Sequence, residues 1–368
     1  MATIAFVGDL SLGGLKGQAL QLPDGHIDAT VSDLLGRADH VVANLECVLS
    51  DQWTQQDLAR RPLALVAPTS SVGSLSKLGV RAVCLANNHT LDLSHRGALD
   101  TLRALDGAGI IHFGLGANYE AAFQPAVLVA GSMRIALLGF VCSGYPKRDR
   151  PGSFELDSPE ARRMIRAARS DCDFVVVVFH DGIEATSYPM KATMQTCHKV
   201  ADWGADLIVG SHPHTVQGIE RYGRTPIAYS LGNFVLPMTS DAHYAQWKPQ
   251  TCLARLGVDF EISLIEKGMI LMARFEPGQP VQVEPVPLHI AKSGLPEWPA
   301  DMAAEQAFIQ QISGAFSRPD DPVWAQRDRI EAGYWSLLRR SVDWKQAIRR
   351  PYAIRWRHVK AVVNRFLR

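Results

Sequence analysis

The chain reads as an α/β protein: a mostly parallel, buried sheet in its first part, antiparallel strands after it, and a helical tail at its C-terminus. Three features predict this. Over residues 1–290 short β-branched runs alternate with helix-like stretches, the punctuation of strand–helix–strand units. The runs are apolar at successive positions rather than alternate ones, so these strands are buried on both faces. After Gly218 strand-like runs follow one another closely, as in hairpins.

In chain order, the first run, 3–7, ends at Gly8-Asp9, and the second, 40–43, ends at Asn44-Leu45-Glu46. The run 81–86 meets Asn87-Asn88-His89, the run 174–179 meets His180, and the run 206–209 meets Gly210-Ser211-His212-Pro213-His214. Every apolar run thus stops at a polar cluster, and open α/β sheets gather ligands beyond the carboxyl ends of their strands. Helices are predicted over 94–108, over 158–170 with Pro159 in the first turn, and over 191–203 closed by Gly204. Thr90, Asp92 and Ser94 offer caps for the first of these. Later strands are predicted over 227–230, 254–265, 269–275 and 281–288, with a turn at Lys267-Gly268, and they imply a second, more antiparallel sheet. The stretch after residue 290 holds Pro296, Pro299, Pro319 and Pro322 and reads as a connector over 291–325 with a short helix near 302–316. A basic amphipathic tail, 326–368, follows the body at 1–290.

Composition narrows the class. With 47% hydrophobic residues and 38 Lys+Arg against 37 Asp+Glu in 368 residues, the chain is neither a disordered acidic protein nor a wholly basic nucleic-acid binder, and no nucleic-acid partner is expected. No apolar run approaches the ~18 residues of a membrane span, and the start lacks a basic, apolar leader, so a cytoplasmic location is the default. The six cysteines form no metal-knuckle spacing and read as free thiols. The near-neutral total hides an asymmetry: residues 339–368 hold ten Lys or Arg against the single Asp343, a charge of +9, which leaves −8 for the rest of a chain whose total is +1. Trp356 and Phe366 stand among those cations, a mixture suited to an anionic membrane surface at the inner face or a polymer-synthesis complex; the alternative is a helix pair packed on the body with solvated arginines.

His212 and His214 flank Pro213 just past an apolar strand, so an extended chain projects both imidazoles to one side. Two imidazoles aimed together suit a divalent transition metal. His180 and Asn88-His89 end other strands, and Asp9 and Glu46 add carboxylate oxygens. These clusters can converge only if they line one edge of the sheet.

The set Gly8-Asp9, Asn44-Leu45-Glu46, Asn87-Asn88-His89-Thr90-Leu91-Asp92, His180-x-Gly182-x-Glu184, Gly210-Ser211-His212-Pro213-His214 and Ser230-Leu231-Gly232-Asn233-Phe234 resembles the CapA family of poly-gamma-glutamate capsule synthesis proteins, similar in fold to calcineurin-like metallophosphoesterases. Order and spacing match over about residues 3–240. The resemblance implies a four-layer α/β/β/α sandwich with a metal centre between its sheets. It makes Asp9, Glu46, Asn88, His180, His212 and His214 metal ligands for one or two divalent ions, manganese, iron or zinc, and His89 the catalytic residue. Glu184, Asn44, Ser230 and Asn233 become further ligands or supports. Where the phosphoesterases have Asp-x-His, this chain has Asp9-Leu10-Ser11, so one metal position loses an imidazole and should bind more weakly. Glu46 stands where they have a bridging Asp, and Asp181 replaces an aromatic residue common after the family's His, which implies a more polar pocket. The implied role is metal-assisted hydrolysis, most simply of a phosphoester, on an anionic polymer or a phosphorylated substrate in capsule or envelope biosynthesis. The alternatives are a non-catalytic part of a membrane-associated polymer complex and a metal-dependent amide hydrolase.

Overall fold

Alternation within single strands decides the layering. In the strand Ala2–Leu10, Ile4 and Phe6 pack into one apolar cluster and Ala5 and Val7 into another, so the strand is covered on both sides. The computed structural model describes residues 1–14, 27–61, 63–141, 149–237 and 241–340, with backbone alone at 60, 241–243 and 338–340. Ala2–Leu10 lies inside an eight-stranded sheet, with the parallel strands His40–Leu45, Val80–Cys84 and Ile111–Phe113 on one side. On its other side run the antiparallel strands Lys267–Phe275, Gln282–Ile290 and Pro296–Glu297, and the short strand Asn233–Val235 pairs with its last residues. A six-stranded sheet carries Met133–Val141, Phe174–His180, Leu207–Ser211 and Thr225–Leu231 in parallel, edged by the antiparallel Ala126–Ala130 and Val216–Tyr222.

The two sheets meet face to face. One cluster joins Ile4, Phe6, Val42 and Cys84 of the first sheet to Leu137, Val176, Val178 and Val209 of the second. Helices Ala29–Leu35, Gly73–Lys77 and Ser94–Gly107 cover the outer face of the first through Val31, Leu75, Ala98 and Leu105. Helices Pro159–Asp171 and Lys191–Trp203 cover the second through Ile165, Ala168, Cys197 and Val200. The fold is therefore a four-layer α/β/β/α sandwich.

Several local expectations are corrected. The antiparallel strands form no sheet of their own but extend the edges of the two mixed sheets. Lys267 and Gly268 do not turn; they open the strand Lys267–Phe275, paired with His289 and Leu288. Residues 254–265 are not a strand: they hold the end of the helix Cys252–Arg255 and the 3₁₀ turn Ile262–Leu264, because Leu253, Phe260 and Ile265 turn inward against Trp247, Ile183 and Met190. The polar strand ends do not share one sheet edge: three belong to the first sheet and two to the second. The helix Pro322–Arg340 packs Ile330 and Tyr334 on that same cluster, and buried Glu331 accepts from the backbone N–H of Lys191 at 2.7 Å. Cys142 and residues 341–368, which carry most of the basic tail, lie outside the described residues. Among the described residues no helix is long and apolar enough to cross a membrane.

Candidate metal centre

Parallel pairing levels the strand ends. Asp9 stands in register with Asn44 on one neighbour and Asn233 on the other, while in the facing sheet His180 is level with Ser211. Glu46 follows its strand directly, Asn87-Asn88-His89 follow theirs after two intervening residues, and His212 and His214 follow Ser211. The Asp9 backbone N–H donates to the Gly232 carbonyl at 2.9 Å, and a Cβ on Gly8 would lie 2.0 Å from that oxygen. Two glycines are needed for this approach, the second also because Gly232 has φ of 67°.

The backbone around the histidine pair is not extended. His212 has φ of 105° and His214 of 57°, so the expectation of two imidazoles on one side of a strand is replaced by a left-handed bend. Such backbone persists only where tertiary contacts fix it. Here the Ala185 N–H donates to the Pro213 carbonyl at 2.7 Å, and the His212 N–H donates to Asp9 Oδ2 at 3.2 Å. Gly182 leaves room for Pro213, whose Cγ would lie 2.9 Å from an added Cβ.

Two donor sets result. Glu46, His180 and His212 place one ligand atom each within 4.8 Å of the others, and so do Asp9, Glu46 and His214. Asn88 Oδ1 joins the first set, 2.6 Å from His180 Nε2, and His212 Nδ1 lies 3.1 Å from the same nitrogen. In the second, His214 Nδ1 lies 3.4 Å from Asp9 Oδ2. Glu46 belongs to both. Its two carboxylate oxygens are buried and, among the described residues, accept no hydrogen bond. A buried carboxylate left so costs about 1–3 kcal/mol or more unless a cation takes its oxygens. Mixed carboxylate, amide-oxygen and imidazole donors fit divalent transition ions.

The polar groups polarise one another. Burial opposes ionisation of Asp9, but the hydrogen bond and charge of His214 and the nearby His180 hold its carboxyl below the usual range. Glu46 is opposed by burial and by Asp9, and the charges of His214 and His180 still bring it below the carboxylate norm. Burial works against the His214 imidazolium too, but Glu46 and Asp9 lift it to about 10. His212 goes the other way, pushed well down by burial and by His180.

The supports are now placed. The Asn44 amide donates to Asp9 Oδ1 at 2.8 Å and lies 3.3 Å from His180 Nδ1, so it braces one member of each set. Asn87 Nδ2 donates to Asn44 Oδ1 at 3.2 Å and to the Leu45 carbonyl at 2.8 Å. Asn233 Oδ1 lies 3.0 Å from His214 Nδ1, and its amide N–H donates to the Ile265 carbonyl at 2.8 Å. The Ser230 hydroxyl accepts from the Gly232 N–H at 3.2 Å and braces the loop. Glu184 lines the cavity beside the centre, and burial raises its carboxyl above the usual range. Asp181 accepts from the Thr193 hydroxyl at 2.9 Å and is not among the residues lining that cavity, so it does not make the pocket more polar.

His89 Nε2 stands 3.8 Å from Glu46 Oε1, and Nδ1 is 2.7 Å from Asp92 Oδ2. A carboxylate only accepts, so the Nδ1 proton donates to it. Burial disfavours the His89 imidazolium, but Asp92 and Glu46 outweigh it and lift the group to about 9. Asp92 is the residue that sequence reasoning misassigned. It does not cap the helix Ser94–Gly107, which has no side-chain cap; it accepts from His89, from the Leu65 N–H at 2.9 Å and from Arg61. Its offset of three from His89 was the available signal. Thr90 donates to the Leu85 carbonyl rather than capping. The cavity, about 350 Å³, is walled by Leu63, Leu65 and Trp247, with Arg61 and Gln250 as further polar groups.

Comparisons with known proteins agree with the geometry. The chain is 30% identical over 244 residues to the capsule biosynthesis protein CapA of Bacillus anthracis, covering 63% of this chain and 59% of that one. It is 31% identical over 237 residues to the PGA biosynthesis protein CapA of Bacillus subtilis, covering 63% of this chain and 62% of the relative. It thus spans about three fifths of the length of these relatives. A hypothetical protein from Thermus thermophilus, solved by crystallography, is a looser likeness, 18% identical with a TM-score of 0.47, covering 78% of this chain and 99% of that one, and carries no weight here. The model of the bacterial capsule synthesis protein family PGA_cap matches residues 3–238, the stretch that holds every residue of the two donor sets. The chain belongs to the PGA_cap family of bacterial capsule synthesis proteins.

Proposed function

We propose that this chain is a metal-dependent hydrolase, most simply of phosphoesters, acting in the synthesis or export of an anionic capsule or envelope polymer. The observation that carries the hydrolase reading is Glu46, shared by two donor sets with both buried oxygens lacking any hydrogen bond. Asp9, Glu46 and His214 would hold one ion, and Glu46, Asn88, His180 and His212 the other. Divalent ions bound there would supply Lewis acidity toward a phosphoryl oxygen. The remaining work falls to side chains. Asp92 fixes the His89 ring through Nδ1, which leaves the Nε2 proton for a leaving-group oxygen in the cavity. Trp247 and the Leu63–Leu65 wall give the leaving portion an apolar side to lie against. The polymer part of the reading rests on the relatives, named for capsule and PGA biosynthesis, and on the +9 charge of residues 339–368, suited to an anionic polymer, an anionic membrane face or a synthesis complex.

The test is elemental analysis of the purified protein together with a chromogenic phosphoester assay of the wild type and His89→Ala. Two ions per chain, turnover in the wild type and its loss in the variant support the proposal. Two ions with no turnover of phosphoester or amide substrates would overturn it in favour of a non-catalytic component.

A further inference from the structure

We propose that Arg61 selects the substrate of this centre, by binding an oxyanion, carboxylate or phosphate, on the portion that leaves. The inference rests on the hydrolase reading above and adds the class of molecule it acts on.

The cavity beside the metal ligands contains one Lys or Arg side chain among its lining residues, Arg61. It sits where the helix Gln55–Arg60 ends, so the backbone and not a long flexible loop sets its position. Its guanidinium donates from Nη1 to Asp92 Oδ1 at 3.3 Å, a long and single contact, and the side chain is 51% exposed. Among the described residues its other N–H groups meet no acceptor. Asp92 Oδ2 already accepts from His89 and Leu65, so Arg61 meets this carboxylate through Oδ1 alone and not as a bidentate pair. A guanidinium is a planar fork of five donors matched to two oxygens of one anion, and here most of that fork is open toward the cavity. Of the neighbouring walls, Leu63, Leu65 and Trp247 carry no charge and Gln250 adds an amide; besides Asp92, Glu184 is the carboxyl group on the lining.

Geometry assigns which part of the ligand Arg61 meets. From Glu46 to Arg61 the chain of contacts runs through the His89 ring and the Asp92 carboxylate, at 3.8, 2.7 and 3.3 Å. A group held at the metal ligands therefore has His89 beside its leaving oxygen and Arg61 one ring further out. An ester whose leaving portion ends in a second anion spans that path. A neutral leaving portion leaves the fork unfilled.

The experiment uses hydrolysis-inert probes, so it does not depend on turnover. Binding of phenylphosphonate, 4-phosphonobenzoate and 1,4-phenylenediphosphonate to the Mn²⁺-loaded full chain is measured by calorimetry for the wild type, Arg61→Met and Arg61→Lys. The second anion is expected to tighten wild-type binding about tenfold, the worth of one charge-assisted pair at a half-exposed site. Arg61→Met should erase that ratio and Arg61→Lys recover only part of it. Whichever of the two doubly anionic probes shows the larger Arg61-dependent gain names the anion. Equal weakening of all three probes by Arg61→Met, or no gain from a second anion in the wild type, overturns the inference and leaves Arg61 as a brace of Asp92. Failure of the wild type to bind phenylphosphonate, with Arg61-dependent binding of 4-phosphonobenzoate retained, would instead reject the phosphoryl reading of the centre and keep the role of Arg61.

Discussion

Glu46→Gln is the sharpest perturbation of the centre, since it keeps the side chain's volume and alters the one residue common to both donor sets. With free Mn²⁺ at about one hundred times Kd, each filled position stabilises the native chain by about 2.7 kcal/mol, hence about 5.4 for two. At about 1.3 °C per kcal/mol for a chain of this length, the wild type should melt about 7 °C higher with the ion than without. Loss of the shared carboxylate leaves Asp9 and His214 in one set and Asn88, His180 and His212 in the other. A rise of about one hundredfold in both dissociation constants brings each down to the free-ion concentration, where stabilisation is about 0.4 kcal/mol per position. The metal-induced shift then shrinks to about 1 °C. Asp9→Asn removes a ligand from one set only, so its shift should fall to about 4 °C. The metal-free form of Asp9→Asn should also be weaker, because both Asp9 oxygens accept hydrogen bonds, from Asn44 and from the His212 N–H, whereas neither Glu46 oxygen does. Differential scanning fluorimetry with and without Mn²⁺, paired with elemental analysis after dialysis, measures both. A Glu46→Gln protein that keeps more than half of the wild-type shift, or that binds as many ions as Asp9→Asn, would refute the shared-ligand argument.

Other outcomes follow from particular contacts. The set with Asp9, Glu46 and His214 has three donors and the one with Glu46, Asn88, His180 and His212 has four, so chelator titration should strip one ion at lower concentration, and Asp9→Asn should abolish that phase while His212→Ala abolishes the other. Asp92→Asn should lower phosphoester kcat about tenfold to a hundredfold with metal content unchanged, because it loosens the proton-bearing ring and touches no ligand; loss of metal as well would place Asp92 differently. Gly8→Ala sets a Cβ 2.0 Å from the Gly232 oxygen and should cost about 3 kcal/mol or more in urea unfolding; a neutral result would mean that the two segments do not touch. Burial raises the thiols of Cys47 to about 11 and Cys84 to about 12, so the thiol form persists well past the ordinary range. Alkylation of the native protein at about pH 8.5 should therefore be slow at both and rise about tenfold per pH unit, and fast labelling by peptide mass spectrometry would contradict their burial. Removing residues 341–368 should weaken sedimentation with anionic vesicles, and equal sedimentation would exclude a membrane role for that charge.

Periodicity made the outer plan legible. Apolar runs such as 174–179 can only be strands covered on both faces, and the structure buries every residue of Phe174–His180. The ligand types were legible because polar residues at the ends of such runs have little other reason to be there. What failed depended on contacts distant in sequence. Residues 254–265 alternate like a strand, yet Phe260 and Ile265 are drawn to Trp247 and Ile183, and that packing overrides local propensity. Asp92 has the composition and position of a helix cap; its offset of three from His89 is the one local hint of that pairing, and nothing local points to Leu65 and Arg61. The approach of Gly8 to Gly232 brings together positions that no local pattern connects.

The left-handed bend at His212 and His214 links the fold to the centre. An extended segment leaving Leu207–Ser211 would continue along the line of the second sheet, with both imidazoles, two residues apart, on one side of it. Two positive φ values turn the chain back instead, and the contacts that hold the turn come from both halves: Asp9 of the first sheet accepts the His212 N–H, and Ala185, in the loop after the second sheet's strand Phe174–His180, donates to Pro213. The same carboxylate that anchors the bend belongs to the donor set with His214. The backbone strain is thus compensated by contacts that require both sheets to be in place, so the centre cannot be assembled by either half of the sandwich alone. Glu46, brought to the gap by the first sheet and facing imidazoles brought by the second, is where the two halves meet, and among the described residues its oxygens have no hydrogen-bond partner, which is what makes it a candidate ligand shared by both donor sets.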